Sequence, residues 1–413
     1  MKTKIALVSL AMASYASAAN FYITGSTAFR AGAVKSISSA FTGAFNTGYY
    51  DATAANQTAQ RAKFSVFSGT IPGIAGTSNI YCTWTGSVEG VKSLALNEDV
   101  DFLSTAPTVA GTAAGAGGSL LASATTVAKA QLAFSDVFKS STPYGTANLF
   151  PSSSKVGVVT FAWVKSEGSH PNLLNVTTQS GRAMYTSGVQ DLGLFTGASA
   201  DVGNTVYLTG RSDASGTRTT FFAETGYKIS DFTQQYKATG NVTTTTAINL
   251  WPVGDGLNAS TIWNNDTLGN GGYESGSGLT TVMGATSASV SVNGDPAGPI
   301  SILGYQSTKD AADSVTAGAT VLKYNGADVS FTGTNLSTTF RASVVNGGYT
   351  MWGFQHLYSK TAIILPPSAA VGDVNKLYVA IKNGLTAANL GNTGIPVSEM
   401  LVGRATDGDT VSP

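Results

Sequence analysis

Cysteine and histidine are almost missing from this 413-residue chain, which has one Cys, Cys82, and two His, His170 and His356. A lone thiol makes no internal disulfide and no thiolate metal site. Two imidazoles far apart in sequence argue against zinc and against a His-based catalytic centre. Charge is scarce too. Asp, Glu, Lys and Arg make up 11% of the chain, and 23 basic residues balance 23 acidic ones. No electrostatic footprint for nucleic acid or an anionic membrane follows from that balance. Long apolar runs are also absent, so no segment has the ~20 residues that a membrane-spanning helix needs.

What remains is a globular composition, 42% hydrophobic and with 48 glycines. The length suits about two to three domain-sized cores. With so few charges, Ser, Thr, Asn, Gln and Gly must cover the surface, a composition that suits an extracytoplasmic protein. The N-terminus reads as a secretory signal over residues 1–18. Lys2 and Lys4 are basic, Ile5 to Met12 is a short apolar run, and Ala16-Ser17-Ala18 fits a small-x-small cleavage site before Ala19. No Cys stands at that site, so no lipid anchor is expected. Cys82, in the strand-like run 79–84, reads as a packed apolar residue.

The pattern after residue 19 is strand, Gly-Ser turn, helix. Phe21 to Ile23 reads as a strand, and Phe29, Ala33, Ile37 and Phe41 recur at i, i+4 as the buried stripe of a helix. Ser26 or Thr27 is placed to cap it. Strands at Lys63 to Phe67 and Ile80 to Trp84 come next, then Gly86-Ser87 and a second helical spacing through Val88, Val91, Leu94 and Ala95. Such units imply an α/β sheet with ligands at the strand carboxyl ends. Thr108 to Ser123 reads as a Gly/Ala/Ser-rich loop. Gln131 to Val137, Val156 to Val164, Val206 to Leu208, Ala247 to Val253 and Ile300 to Tyr305 read as strands. Gly254 to Gly278 reads mostly as loop, and a helix start is placed at Gly278 to Gly284. Tyr349 to Ile364 suits a returning crossover, and Asp373 to Leu385 a helix.

The segment Gly210-Arg211-Ser212-Asp213-Ala214-Ser215-Gly216-Thr217 carries the most chemistry. It sets a fixed positive charge four residues before a Ser-Gly-Thr turn that opens a helix. Unpaired N–H groups and the positive dipole end make a helix start an anion seat. A guanidinium can hold an oxyanion through two parallel hydrogen bonds. Ser215 and Thr217 add hydroxyls, and Gly216 lets the backbone come close. Asp213 is placed to pair with Arg211. Arg30 and Arg218, also on helices, read as a solvated face. Alone, the turn could be only a helix cap. Gly25-Ser26-Thr27 and Gly86-Ser87 repeat its logic upstream, and Asp136 adds an acceptor.

This order resembles the periplasmic phosphate-binding proteins of ABC-type phosphate transporters. Arg211 to Thr217 resembles that family's Arg-x-Asp-Gly-Ser-Gly-Thr signature, with Ala214 in place of Gly. Residues 87–92 resemble its second helix start, and Phe134-Ser135-Asp136 the segment with its phosphate-sensing Asp. The runs 251–254 and 302–305 resemble later landmarks. The resemblance implies an α/β, two-lobed, type II periplasmic-binding-protein-like fold, with lobe 1 over 19–155 and 350–413 and lobe 2 over 156–349. It implies an interlobe phosphate site of Ser26, Thr27, Ala28, Ser87, Asp136, Arg211, Ser215, Gly216 and Thr217, with Asp213 behind them.

Three departures stand out. Val88 and Glu89 replace small residues at the second helix start. The interval from Ser87 to Asp136 is long. A rival match at residues 101–107 would put Thr105 at the sensing position; the intact Ser-Asp step favours Asp136. The functional expectation is a periplasmic or secreted monomer that captures phosphate or a similar oxyanion, with no cofactor and no metal, and with an ABC-type permease as a possible partner. The alternative is an extracellular surface or structural protein that keeps the fold without the affinity. No acid–base carboxylate pair or His beside a nucleophile supports an enzyme.

Overall fold

The computed structural model describes residues 18–152, 154–255, 261–287, 289–363 and 372–413. The signal segment therefore lies outside the described residues, Ala18 excepted. The chain is α/β. At its centre runs strand Lys155–Lys165, buried along nearly its whole length. Its Val, Thr, Phe and Trp content suits a strand covered on both faces. Around it stands a 12-stranded mixed sheet. On one side lie Ser301–Ser307, Thr205–Leu208 and Val189–Asp191, and the short strand Thr320–Val321 pairs with the Lys165 end of the central strand. On the other lie Trp352–Ser359, Leu132–Ser135, Ala19–Gly25, Ser78–Thr83, Phe64–Thr70, Thr42–Tyr50 and Ser119–Leu120.

Two long antiparallel strands join the halves of this sheet. Residues 155–160 pair with 352–356, and 161–165 pair with 303–307. Residues 356–359 pair with 132–135. Each long strand therefore overlaps its neighbours by only part of its length, and the halves are staggered. Through these registers Gly25 and Ser135 stand level with the Lys155 end of the central strand. Leu208 stands level with the Lys165 end. Ala19–Gly25 is parallel to both its neighbours, and Thr205–Leu208 runs the opposite way. The carboxyl ends of the two sets consequently point at each other across the middle of the central strand. Helices that follow those strands begin in the same small volume.

The C-terminal residues fold back on the first half of the sheet. Helix Asp373–Gly384 lies on helix Arg30–Ser39, and the Ser36 hydroxyl donates to the Ile381 carbonyl. Val158 and Ile395 exchange backbone hydrogen bonds of 2.8 and 2.9 Å. Arg404 also pairs with Glu224 at 3.0 Å, on helix Gly216–Glu224.

Several elements differ from the sequence expectation. Helix Arg30–Ser39 ends before Phe41, whose ring instead stacks on Phe45 at 4.9 Å. The 247–253 expectation shifts to Thr245–Leu250, in a separate four-stranded sheet. The returning strand is Trp352–Ser359; Ile364 lies outside the described residues, as do 256–260 of the Gly/Asn-rich stretch. The polar helices Thr178–Ser187, Thr308–Thr316 and Thr338–Val345 were not foreseen. Each is opened by a Ser or Thr side chain that accepts from a backbone N–H in the first turn.

Two buried titratable groups near the returning strand oppose each other. Burial, with Lys155 beside it, lowers His356 from 6.5 to about 3. Its Nδ1 lies 2.9 Å from the Ser154 hydroxyl. Burial raises Asp407 from 3.8 to about 7, against the Phe138 N–H that donates to it. Between pH 6.5 and about 3, an unfolded His356 binds a proton that the folded one refuses, so its stabilisation is lost as pH falls. Between 3.8 and about 7, a folded Asp407 holds a proton that the unfolded one releases, so its stabilisation is lost as pH rises. These slopes cancel where the windows overlap. His356→Gln is therefore predicted to gain stability on acidification from pH 6.5 to 4 by up to about 1.4 kcal/mol per unit relative to wild type, and Asp407→Asn to lose it. Urea titrations at several pH values check both signs.

Candidate functional site

The stagger of the sheet brings three helix starts together: residues 26–29 before Arg30–Ser39, Ser87 at the head of Ser87–Leu96, and Gly216 at the head of Gly216–Glu224. Asp136, just past strand Leu132–Ser135, stands between them. Its N–H donates to Ser87 Oγ at 3.1 Å. A Cβ on Gly216 would sit 1.7 Å from Asp136 Oδ1 and 2.8 Å from Ser87 Cβ, so any side chain there must displace the carboxylate. Arg211 is fully buried and reaches both halves. Its Nη2 donates to Thr27 Oγ1 at 2.9 Å and to the Glu274 carbonyl at 2.8 Å. Its Nε donates to the Tyr273 carbonyl at 3.0 Å, and its Nη1 to Thr217 Oγ1 at 3.3 Å.

Among the described residues Arg211 forms no ion pair. Its guanidinium is satisfied by carbonyls and hydroxyls, and burial lowers its pKa. Asp136 is equally deep. Burial pushes its carboxyl up, against the pull of Ser87, Arg211 and Ser26, and its Oδ1 has no hydrogen-bond partner. Ser215 Oγ, on the residue that opens helix Gly216–Glu224, is buried and unpartnered as well. Among the described residues, the N–H groups of Thr27, Ala28, Ser87, Gly216 and Thr217 have no protein acceptor. They are the free donors that a helix start leaves unused. The structure thus brings together Ser26, Thr27, Ala28, Ser87, Asp136, Arg211, Ser215, Gly216 and Thr217.

Thr105, the rival to Asp136, is exposed beyond strand Asp99–Leu103, in a separate two-stranded sheet. Glu89 points away to pair with Lys92 at 3.2 Å. The second helix start is nonetheless less open than the others. Val88 N–H donates to the Ala214 carbonyl at 3.0 Å, and Gly86, at φ +111°, would place a Cβ 2.5 Å from that same oxygen.

Two expectations are corrected. Asp213 does not orient Arg211. Its carboxylate accepts from the backbone N–H groups of Thr261, Ile262 and Trp263 at 3.3, 2.9 and 3.4 Å, and so fastens that loop beside the site. Backbone donors outcompeted the neighbouring guanidinium because the 261–263 turn presents them together. Arg30 and Arg218 are not on a solvated face; they are 6% and 3% exposed. Arg218 donates to the Asn270 carbonyl at 2.8 Å and to Asn270 Oδ1 at 2.6 Å, and packs on the Phe222 ring. Sequence reasoning also missed Tyr273 and Glu274, whose backbone carbonyls hold Arg211. Carbonyls leave no residue-type signal.

No protein-family model matches the chain, and no curated protein does. Among solved structures it is similar to the crystal structure of PstS from Borrelia burgdorferi, with 11% identity, a TM-score of 0.35, and 83% of this chain and 87% of that chain covered. It is also similar to a possible phosphate binding protein from Planctomyces limnophilus DSM 3776, with 11% identity, a TM-score of 0.35, and coverages of 83% and 81%. These are distant likenesses, and the site stands on its own geometry.

The Gly216 contact is directly testable. Gly216→Ala must displace the Asp136 carboxylate or the helix start, and overpacking of this kind costs about 1–3 kcal/mol. A lowered thermal midpoint is expected, whereas an unchanged midpoint would show that Asp136 does not lie against Gly216.

Proposed function

We propose that this chain is a non-catalytic, extracytoplasmic solute-binding protein that holds phosphate or a similar tetrahedral oxyanion between the two halves of its sheet. The observation that supports this reading is a buried arginine without a carboxylate partner, surrounded by helix-start N–H groups that have no protein acceptor. Such donors stabilise a small anion at little cost in reorganisation. The residues proposed as ligands are Thr27, Ala28, Ser87, Asp136, Arg211, Ser215, Gly216 and Thr217, with Ser26 supporting Asp136. The two halves are proposed to act as lobes with the boundaries 19–155 with 350–413, and 156–349. Capture by a secreted or periplasmic monomer and delivery to an ABC-type permease belong to the same proposal.

One observation favours the other reading, a surface or structural protein with the fold but not the affinity. The Thr27 and Thr217 hydroxyls are occupied by Arg211, and Ala214 covers Val88 N–H. Binding would require these groups to be shared with the anion or to exchange partners.

Calorimetry separates the readings. Saturable phosphate binding is expected, with Arg211→Ala weakening it at least about tenfold, since ~1.4 kcal/mol is one decade. No saturable binding by wild type would favour the structural reading; an unchanged constant in the variant would remove Arg211 from the site. Asp136 adds a selectivity test. An ionised carboxylate only accepts hydrogen bonds, so it favours protonated phosphate over sulfate, which has no proton to give. Phosphate is expected to win by roughly a hundredfold, with Asp136→Asn narrowing the gap. Equal competition by sulfate against wild type would exclude that role.

A further inference from the structure

Next to the anion cluster lies a cavity of about 510 Å³ that the phosphate reading does not use. Glu274 joins the two. Its carbonyl accepts from Arg211, and its side chain lines the cavity, paired with Lys63 at 2.9 Å. Arg30 lines the same cavity from the first residue of helix Arg30–Ser39, three positions after Thr27. Arg30 is 6% exposed. Its Nη1 donates to the Ala62 carbonyl at 3.2 Å, and its Nε has no partner. An arginine so deep, held by one neutral acceptor, carries a desolvation cost that an anion would offset.

The other charges around the cavity are committed. Lys63 is paired with Glu274, and Arg61 with Asp313 at 3.0 Å. Asp51 accepts from the Thr53 and Lys63 N–H groups at 2.8 Å each. Asp310 accepts from the Ser307 hydroxyl at 2.7 Å, and its charge, with that of Asp51, acts on Arg30 without an ion pair. Arg30 is left without an ion pair among the described residues. Tyr50, Phe64 and Trp84 give the wall an apolar part. A cavity with a buried guanidinium that no carboxylate bonds directly, and with an aromatic wall, suits a short carbon chain that ends in an anion.

We propose that the ligand is a small phosphate monoester carrying a second anionic group, with its phosphoryl group at Arg211, its carbon skeleton in the Tyr50–Phe64–Trp84 cavity and its second anion on Arg30. This rests on Arg211 as the phosphoryl anchor. Arg30 then discriminates between esters, because a ligand without the second anion leaves the buried guanidinium unmatched.

The test is calorimetric titration of the full chain with orthophosphate, methyl phosphate and phosphoglycolate. Phosphoglycolate is expected to bind wild type at least about tenfold more tightly than methyl phosphate, a difference of one decade in Kd. Arg30→Gln is expected to abolish that advantage and leave the orthophosphate Kd within about twofold. Thr281→Trp, which fills the cavity from an exposed position on its rim, is expected to do the same and decides the matter should Arg30→Gln not fold. The proposal is overturned by phosphoglycolate binding no tighter than methyl phosphate while orthophosphate binds, or by a folded Arg30→Gln that weakens all three alike. Failure of all three ligands to saturate wild type overturns instead the reading of Arg211 on which it rests.

Discussion

The structure depends on one buried cation. Arg211 is fully covered and forms no ion pair among the described residues, so neutral acceptors must supply what water would have supplied. Those acceptors come from opposite halves of the sheet: Thr27 from one, and Tyr273, Glu274 and Thr217 from the other. A guanidinium offers its donors in a fixed planar fork, so the acceptors cannot move independently of one another. Satisfying it therefore fixes the distance between the halves at this point. The unpartnered atoms nearby, Asp136 Oδ1 and Ser215 Oγ, are the complement of that arrangement. They lie where the guanidinium does not reach, and they give the cluster unused polar capacity.

Strand registers explain why such a cluster forms between segments so distant in sequence. Ala19–Gly25, Ser78–Thr83 and Leu132–Ser135 run side by side in parallel, and their carboxyl ends share one edge. Thr205–Leu208 runs the opposite way with its carboxyl end level with Lys165, so that end faces theirs across the middle of the central strand, because Lys155–Lys165 and Trp352–Ser359 each offset the two halves. Ser26, Ser87, Asp136 and Arg211 are each within a few residues of those ends. The chemistry of the site is thus a consequence of sheet stagger, and small changes in the pairing of 155–160 with 352–356 would separate its parts.

The clustering of these segments was legible in the sequence, for a physical reason. Gly, Ser and Thr at a strand–helix junction leave a local signature, since only small and hydroxylated residues fit an open helix start. Gly216 shows it directly: a Cβ there meets the Asp136 carboxylate as it stands. The apolar strands at 156–164 and 300–305 were equally legible, because strands buried on both faces carry unbroken β-branched and aromatic runs. What was hidden follows the same logic. Helix Thr338–Val345 shows little apolar periodicity, and helix Thr308–Thr316 buries Thr308, Asp310, Ala311, Ala312 and Ser314, a face with no large apolar residue to mark it. The hold on Arg211 comes from backbone carbonyls, which no residue type announces. Asp213 was misjudged because its neighbour in sequence is a cation, whereas its neighbours in space are the N–H groups of 261–263.

Arg30 and Arg218 carry that lesson into energetics. Both are polar residues on helices, and both are buried. They differ in how their charge is met. Arg218 is locked by both the carbonyl and the side-chain oxygen of Asn270 and by the face of Phe222, an arrangement that ties helix Gly216–Glu224 to the 270 turn and leaves it as structure. Arg30 has one carbonyl and an unpartnered Nε beside open volume. In a chain with only 11% charged residues, surface solvation does not require a cation at that position. Burial of an incompletely matched guanidinium costs stability wherever it occurs. This fold places one against a cavity, on the residue that opens a helix three positions after Thr27, where the carboxylates of Asp310, Asp51 and Glu274 offset its charge without bonding to it directly.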